Sequence, residues 1–134
     1  MKHILLTTII LSIHSNAAMA NNTAVTQLLD DYQLQGASIG NAQSGEQLWN
    51  KTFSGEAPFT ERSCSTCHTD QLKNKGKHAR TGKELKPLAP SANKQSLSDT
   101  KKIKKWFKRN CKWTLGRECT AQEKSDILTF INQQ

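Results

Sequence analysis

The chain opens on a near-continuous apolar run, Ile4 to Ile13, and then gives way to spaced apolar positions. That run is too short to span a bilayer, and no later stretch approaches its length. From Thr23 to Leu34, the residues Val25, Leu28, Leu29 and Tyr32 share one side, which predicts a short helix broken by Gly36 and Gly40. Ser44 to Phe53 predicts a second helix with Leu48, Trp49 and Phe53 apolar and Gly45 one turn before Trp49. Glu56 to Ser63, carrying Pro58, reads as a loop. Lys73 to Ser98 shows no period and is punctuated by Gly76, Gly82, Pro87 and Pro90. A loop of that length in a compact domain usually wraps something. Asp99 to Arg109 predicts a helix capped by Ser98, with Ile103, Trp106 and Phe107 at i, i+3 and i+4 and lysines around the rest. The last helix is the best signalled: Thr120 and Glu123 make a capping box ahead of Ile127, Leu128, Phe130 and Ile131. The pattern therefore predicts an all-α fold. Its first and last helices should cross, with Gly45 and Trp49 facing Ile127 and Ile131.

The opening segment also carries Lys2 ahead of the apolar run and Ala18-Met19-Ala20 behind it, the layout of a secretory signal cleaved after Ala20. This divides the chain into a signal peptide (1–20), an N-terminal extension (21–40) and one domain (41–134). Export places the protein in the periplasm, where cysteines meet an oxidising environment. With Lys2 removed, 18 basic residues face 11 acidic ones. Their distribution is uneven: Lys73 to Arg117 holds 15 basic residues and only two acids, Glu84 and Asp99. An exported chain has no nucleic acid to meet, so a basic face points to an acidic redox partner, with a merely solvated lysine face as the plain alternative. Eight aromatic residues are a thin core inventory for the mature length. A bound prosthetic group would supply the missing buried surface and stabilise the native state.

Cys64-Ser65-Thr66-Cys67-His68 names that group. Two cysteines three apart followed by histidine is the attachment pattern of a c-type haem. One helical turn presents Cys64 and Cys67 to one porphyrin edge and brings His68 under the iron as proximal ligand. Zinc would need four donors, and only His78 and the distant Cys111 and Cys119 remain. A redox dithiol would sit in a βαβ context, which is missing. Cys111 and Cys119 lack the spacing for a second haem. In an exported chain they most simply form a disulfide, worth about 2–3 kcal/mol by loop entropy, with two free buried thiols as the alternative. The usual distal ligand of an electron carrier is methionine, but Met1 and Met19 are the only methionines and both precede the cleavage site. Three candidates remain: His78, ten residues after His68; a deprotonated lysine; and Asn110, at the end of the Trp106-Phe107 helix. Asn110 reads equally well as a helix C-cap, and spacing alone does not separate ligand from cap.

Several runs resemble the sphaeroides haem protein type of class I cytochrome c. They are Trp106-Phe107-Lys108-Arg109-Asn110-Cys111, Leu115-Gly116-Arg117-Glu118-Cys119-Thr120, Thr81-Gly82-Lys83, Pro87-Leu88-Ala89-Pro90 and the Cys-x-x-Cys-His motif itself. The resemblance covers roughly residues 45 to 131 and leaves out Asn21 to about Ala42. It implies a small class I cytochrome c fold around one covalent haem c, with Asn110 as distal ligand just before the first disulfide cysteine. It further implies that Asn110 leaves on reduction, that small gases (O2, NO, CO) then bind, and that a dihaem cytochrome c is the electron-transfer partner. Ligand chemistry agrees, because an amide oxygen is a hard donor that suits ferric better than ferrous iron. The rival reading is a haem enzyme or sensor that reduces or detects oxygen or nitrogen oxides. No distal Arg-His pair marks a peroxidase.

Overall fold

The computed structural model describes residues 23–134; the signal peptide and its cleavage site lie outside the described residues. Five helices carry the fold: α1 (Thr23–Leu34), α2 (Ala42–Asn50), the single turn α3 (Ser65–His68), α4 (Thr100–Leu115) and α5 (Ala121–Asn132). Two short antiparallel ladders join them, β1 (Phe53–Ser54) with β2 (Glu61–Arg62), and β3 (Gly76–Lys77) with β4 (Glu84–Leu85). Among the described residues no helix is long and apolar enough to cross a membrane.

The expected crossing of α2 and α5 is the main contact of the fold. Gly45 makes it possible, since a Cβ there would stand 2.1 Å from the Asp126 carbonyl oxygen. One turn on, Trp49 is buried against Phe130, ring centroids 6.1 Å apart. Asp126 fastens the crossing by accepting from the Asn41 backbone N–H at 2.8 Å, while Asn41 caps α2 through the Ser44 N–H. Thr120 and Glu123 form both bonds of the expected capping box at the start of α5. The segment read as an N-terminal extension contributes Val25, Leu28 and Tyr32 of α1 to the same core as Ile127 and Leu128.

Four sequence expectations are corrected. The second helix stops at Asn50, short of Phe53, because Lys51 is extended and Phe53 pairs with Arg62 across the β1–β2 ladder. The cap of α4 is Asp99, whose carboxylate accepts from the Lys102 N–H at 3.0 Å; the Ser98 hydroxyl bonds instead to the Gln95 carbonyl. More consequentially, α4 does not end at Arg109. It runs to Leu115, because Cys111 and Thr114 continue the buried face begun by Ile103, and it stops where Gly116 takes a left-handed φ of 74°. The stretch from Lys73 to Ser98 is not wholly irregular. It holds the β3–β4 hairpin and buries Ala89 and Leu97 beside Leu72, whose carbonyl accepts from Leu88 and Ala89 N–H at 3.0 Å each.

Two expectations follow from this packing. Gly45→Ala should destabilise the ferric protein by about 1–3 kcal/mol, because the added Cβ meets backbone rather than a movable side chain; guanidinium unfolding measures it. Glu123 accepts both guanidinium nitrogens of Arg117 as well as its capping-box bond, and these hold its carboxyl below the usual glutamate range. A depressed carboxyl pKa stabilises the fold above the unfolded pKa, and that contribution is lost as pH falls through the folded one. Glu123→Gln should therefore cost roughly 0.5–1 kcal/mol at neutral pH, a value moderated by solvent screening. The melting-temperature difference from wild type should narrow as the pH is lowered below the usual glutamate range.

Candidate functional site

Ser63 starts the attachment turn. Its hydroxyl accepts from the Thr66 N–H at 3.1 Å, and its own N–H donates to the Thr66 hydroxyl at 3.0 Å. The turn then closes with His68 N–H on the Cys64 carbonyl at 3.2 Å, and Thr69 ends it at a φ of 63°. Three residues apart on one turn, Cys64 and Cys67 share a face. Both are half-buried and carry free sulfurs. Burial pushes the Cys64 thiol up to about 12, with the nearby Cys67 adding to the rise. A redox dithiol needs the opposite shift. Among the described residues no group of three or more His, Cys, Asp or Glu side chains is gathered to hold a metal ion.

Trp49 seats the histidine. Its ring lies 5.7 Å from the His68 ring, and its Nε1–H donates to the Thr69 carbonyl at 3.0 Å. Burial, and then the charge of His78, lower the His68 pKa to about 4, so the imidazole is neutral and keeps a lone pair at physiological pH. On the other flank the Gly76 backbone packs against the Cys67 carbonyl, and the Ala79 N–H donates to the Cys67 sulfur at 3.4 Å. Two free thiols on one face of a turn beside a neutral, ring-backed histidine fit the donor set of a covalent haem.

The distal candidates separate by environment. His78 belongs to the hairpin turn beside α3, where its backbone bonds to Lys83 and Gly82. Its Nδ1 lies 3.2 Å from the Thr81 N–H, which donates to it, and 3.1 Å from the Thr81 hydroxyl. These bonds engage the ring locally. Asn110 is not a helix cap, since α4 continues past it to Gly116. It is exposed, on a stripe with Trp106 one turn before and Trp113 one turn after. Trp113 is tied to the attachment segment: Arg62, two residues before Cys64, donates Nη1–H to the Trp113 carbonyl at 2.8 Å and stacks 5.1 Å from its ring centre. Phe59 meets the same ring edge-on at 6.2 Å. Phe107 turns into the core against Tyr32, while Trp106 stays 40 % exposed.

Cys111 and Cys119 are disulfide-bonded, with 5.5 Å between Cα atoms. Cys111 lies inside α4 rather than in a loop, and Cys119 immediately precedes the cap of α5. The bridge therefore ties the turn that follows Asn110 to the start of the last helix. Sequence reasoning missed Arg62 and Trp113. A lone cation two residues ahead of the motif was the available signal, but its partner is 51 residues away.

A family model described as a domain of unknown function (DUF1924) matches residues 35–131. The cytochrome c-type protein SHP of Cereibacter sphaeroides is 36 % identical over 126 residues, which covers 94 % of this chain and 96 % of that protein. Such coverage reaches into the segment before Ala42, which the motif-based resemblance had left out. The structure of oxidised SHP, described as an oxygen-binding cytochrome c, superposes with a TM-score of 0.75 at 38 % identity, covering 82 % of this chain and 96 % of that one. Cytochrome c'' of Methylophilus methylotrophus follows at 28 % identity. Its oxidised crystal structure has a TM-score of 0.72 over 83 % of this chain and 94 % of its own. Its solution structure, described as bearing on haem-ligand detachment, has a TM-score of 0.69 over 85 % of this chain and 96 % of its own. The attachment turn, the mainly helical frame and this likeness agree, and the chain belongs to the SHP family of monohaem c-type cytochromes, with the class I cytochrome c fold.

Proposed function

We propose that this protein is an exported cytochrome that accepts electrons from an acidic protein partner, a dihaem cytochrome c. We further propose that it binds a small gas when reduced, because Asn110 then leaves the iron. The haem, held through Cys64 and Cys67 with His68 as proximal ligand, supplies the redox-active centre. The observation that carries the reading is the placement of Asn110. It stands on α4 three residues before Trp113, and Trp113 is held to Arg62 at the edge of the attachment motif. The likeness to an oxygen-binding cytochrome c and to a protein studied for haem-ligand detachment supports it.

The residues around the site have distinct tasks. Trp49 fixes the His68 ring on its proximal side. The carboxamide oxygen of Asn110 is a neutral, hard donor, so its hold weakens when the iron gains an electron, whereas a methionine sulfur would hold in both states. The disulfide and Gly116 limit how far the end of α4 can follow a departing side chain. For the partner, α4 offers seven basic residues and no acid. Lys102 and Lys104 are engaged by Asp99 and Asp31. Lys101, Lys105, Lys108 and Lys112 are exposed along one line, a steering field for an acidic surface.

Two measurements test this. Acid–acetone extraction should leave haem on the protein, with an intact mass equal to residues 21–134 plus one haem, less two hydrogens for the disulfide; extraction of free haem would overturn covalent attachment. Asn110→Ala should keep the haem but move the ferric spectrum toward water ligation or a vacant position, while ferrous wild type binds carbon monoxide without a lag. His78→Ala should leave the ferric spectrum unchanged. The reverse pattern, with His78→Ala altering the spectrum and Asn110→Ala not, would make His78 the ligand and the protein a plain electron carrier.

A further inference from the structure

Arg62 makes no ion pair among the described residues, yet it is half-buried and each of its three guanidinium nitrogens donates to a backbone carbonyl. Nε–H donates to the Phe59 carbonyl at 3.0 Å, Nη1–H to the Trp113 carbonyl at 2.8 Å and Nη2–H toward the Glu56 carbonyl at 3.5 Å, with the Trp113 ring against its face. The chain gives up a side chain to admit it, since a Cβ on Gly55 would stand 2.2 Å from Nε. Gly55 does not have a positive φ, so space rather than backbone conformation calls for glycine there.

The bond to Trp113 has a definite meaning. Trp113 lies in the last turn of α4, whose carbonyls have no partner within the helix. A cation there satisfies one of them and complements the negative end of the helix dipole. The same arginine is paired through its backbone with Phe53 and sits two residues before Cys64. It thus joins the C-terminal end of the helix that bears Asn110 to the strand that leads into the haem-attachment turn. Lysine could not replace it, because only a planar fork reaches several fixed carbonyls while stacking on indole.

We propose that Arg62 is a positioning residue for distal ligation: through the Trp113 carbonyl and ring it holds α4 at the height from which Asn110 reaches the ferric iron. The proposal rests on Asn110 being that ligand. It requires no contact between Arg62 and the haem. Loss of the guanidinium should weaken closure by Asn110 without loosening the haem, which stays bound through Cys64 and Cys67.

Cyanide binding to the ferric holoprotein reads this directly. An outside ligand must wait for Asn110 to leave, so its apparent affinity falls with the fraction of open site. Arg62→Lys and Arg62→Met should each raise apparent cyanide affinity roughly tenfold, the worth of one charge-assisted hydrogen bond. Trp113→Phe, which keeps the carbonyl but trims the stack, should act in the same direction by a smaller factor and serves if the arginine variants do not mature. In an Asn110→Ala background the same changes should alter cyanide affinity less than twofold. If Asn110→Ala itself binds cyanide as wild type does, the assignment of Asn110 fails. If Asn110→Ala binds more tightly but the Arg62 and Trp113 variants match wild type, Arg62 does not position it. An Arg62 effect of equal size in both backgrounds would overturn the proposal by showing a general field or stability effect. So would wild-type behaviour of Arg62→Lys beside a changed Arg62→Met, because charge alone would then suffice.

Discussion

Trp49 joins the scaffold to the site. One side of its ring packs on Phe130 at the α2–α5 crossing, and the ring also lies 5.7 Å from His68. Its Nε1–H is bonded to the carbonyl that ends the attachment turn. A buried indole needs such a partner, and here the partner is the residue after the histidine. The histidine is therefore not placed by its own four-residue helix, which is too short to hold anything alone. It is placed by the two helices that cross, α2 and α5, through a single aromatic ring. Gly45 matters for the same reason, since only the close approach it permits brings Trp49 down to that depth.

The proposed distal side depends on a different element. α4 performs three tasks on three faces. Ile103, Cys111 and Thr114 are buried in the domain, the lysine line faces solvent, and Trp106, Asn110 and Trp113 form the stripe between them. A helix with seven cations and no acid is a poor helix by its own electrostatics, since like charges three or four residues apart repel. It persists because its apolar face is packed and both ends are fastened. Asp99 caps the start, and Gly116, Arg62 and the Cys111–Cys119 bridge hold the end.

Much of this was legible in the residues because it is local. The Cys64-Ser65-Thr66-Cys67-His68 run, the capping box at Thr120 and Glu123 and the Gly45–Trp49 spacing each act within one or two turns, where sequence spacing fixes geometry. The disulfide partner was legible for another reason: only two cysteines were left once the motif had taken its pair. The boundaries of α4 were not. Asn110 and Cys111 looked like the residues of a helix end, and nothing local shows that Thr114 would be buried by a neighbouring element and so extend the helix for another turn and a half.

The sequence by itself determined the class of prosthetic group, the helical frame and the short list of iron ligands, because those follow from residue identity and from periods of three and four. Tertiary structure decided what those residues face. Whether Asn110 was a cap or stood free on a helix depended on the length of α4. Where the His78 ring is held depended on the Thr81 bonds that engage it beside the attachment turn. The clamp from Arg62 to Trp113 joins residues 51 positions apart, and its pairing rests on a helix-end carbonyl rather than on a side-chain identity. A backbone carbonyl is the same in every residue, so no reading of the letters could have chosen this one.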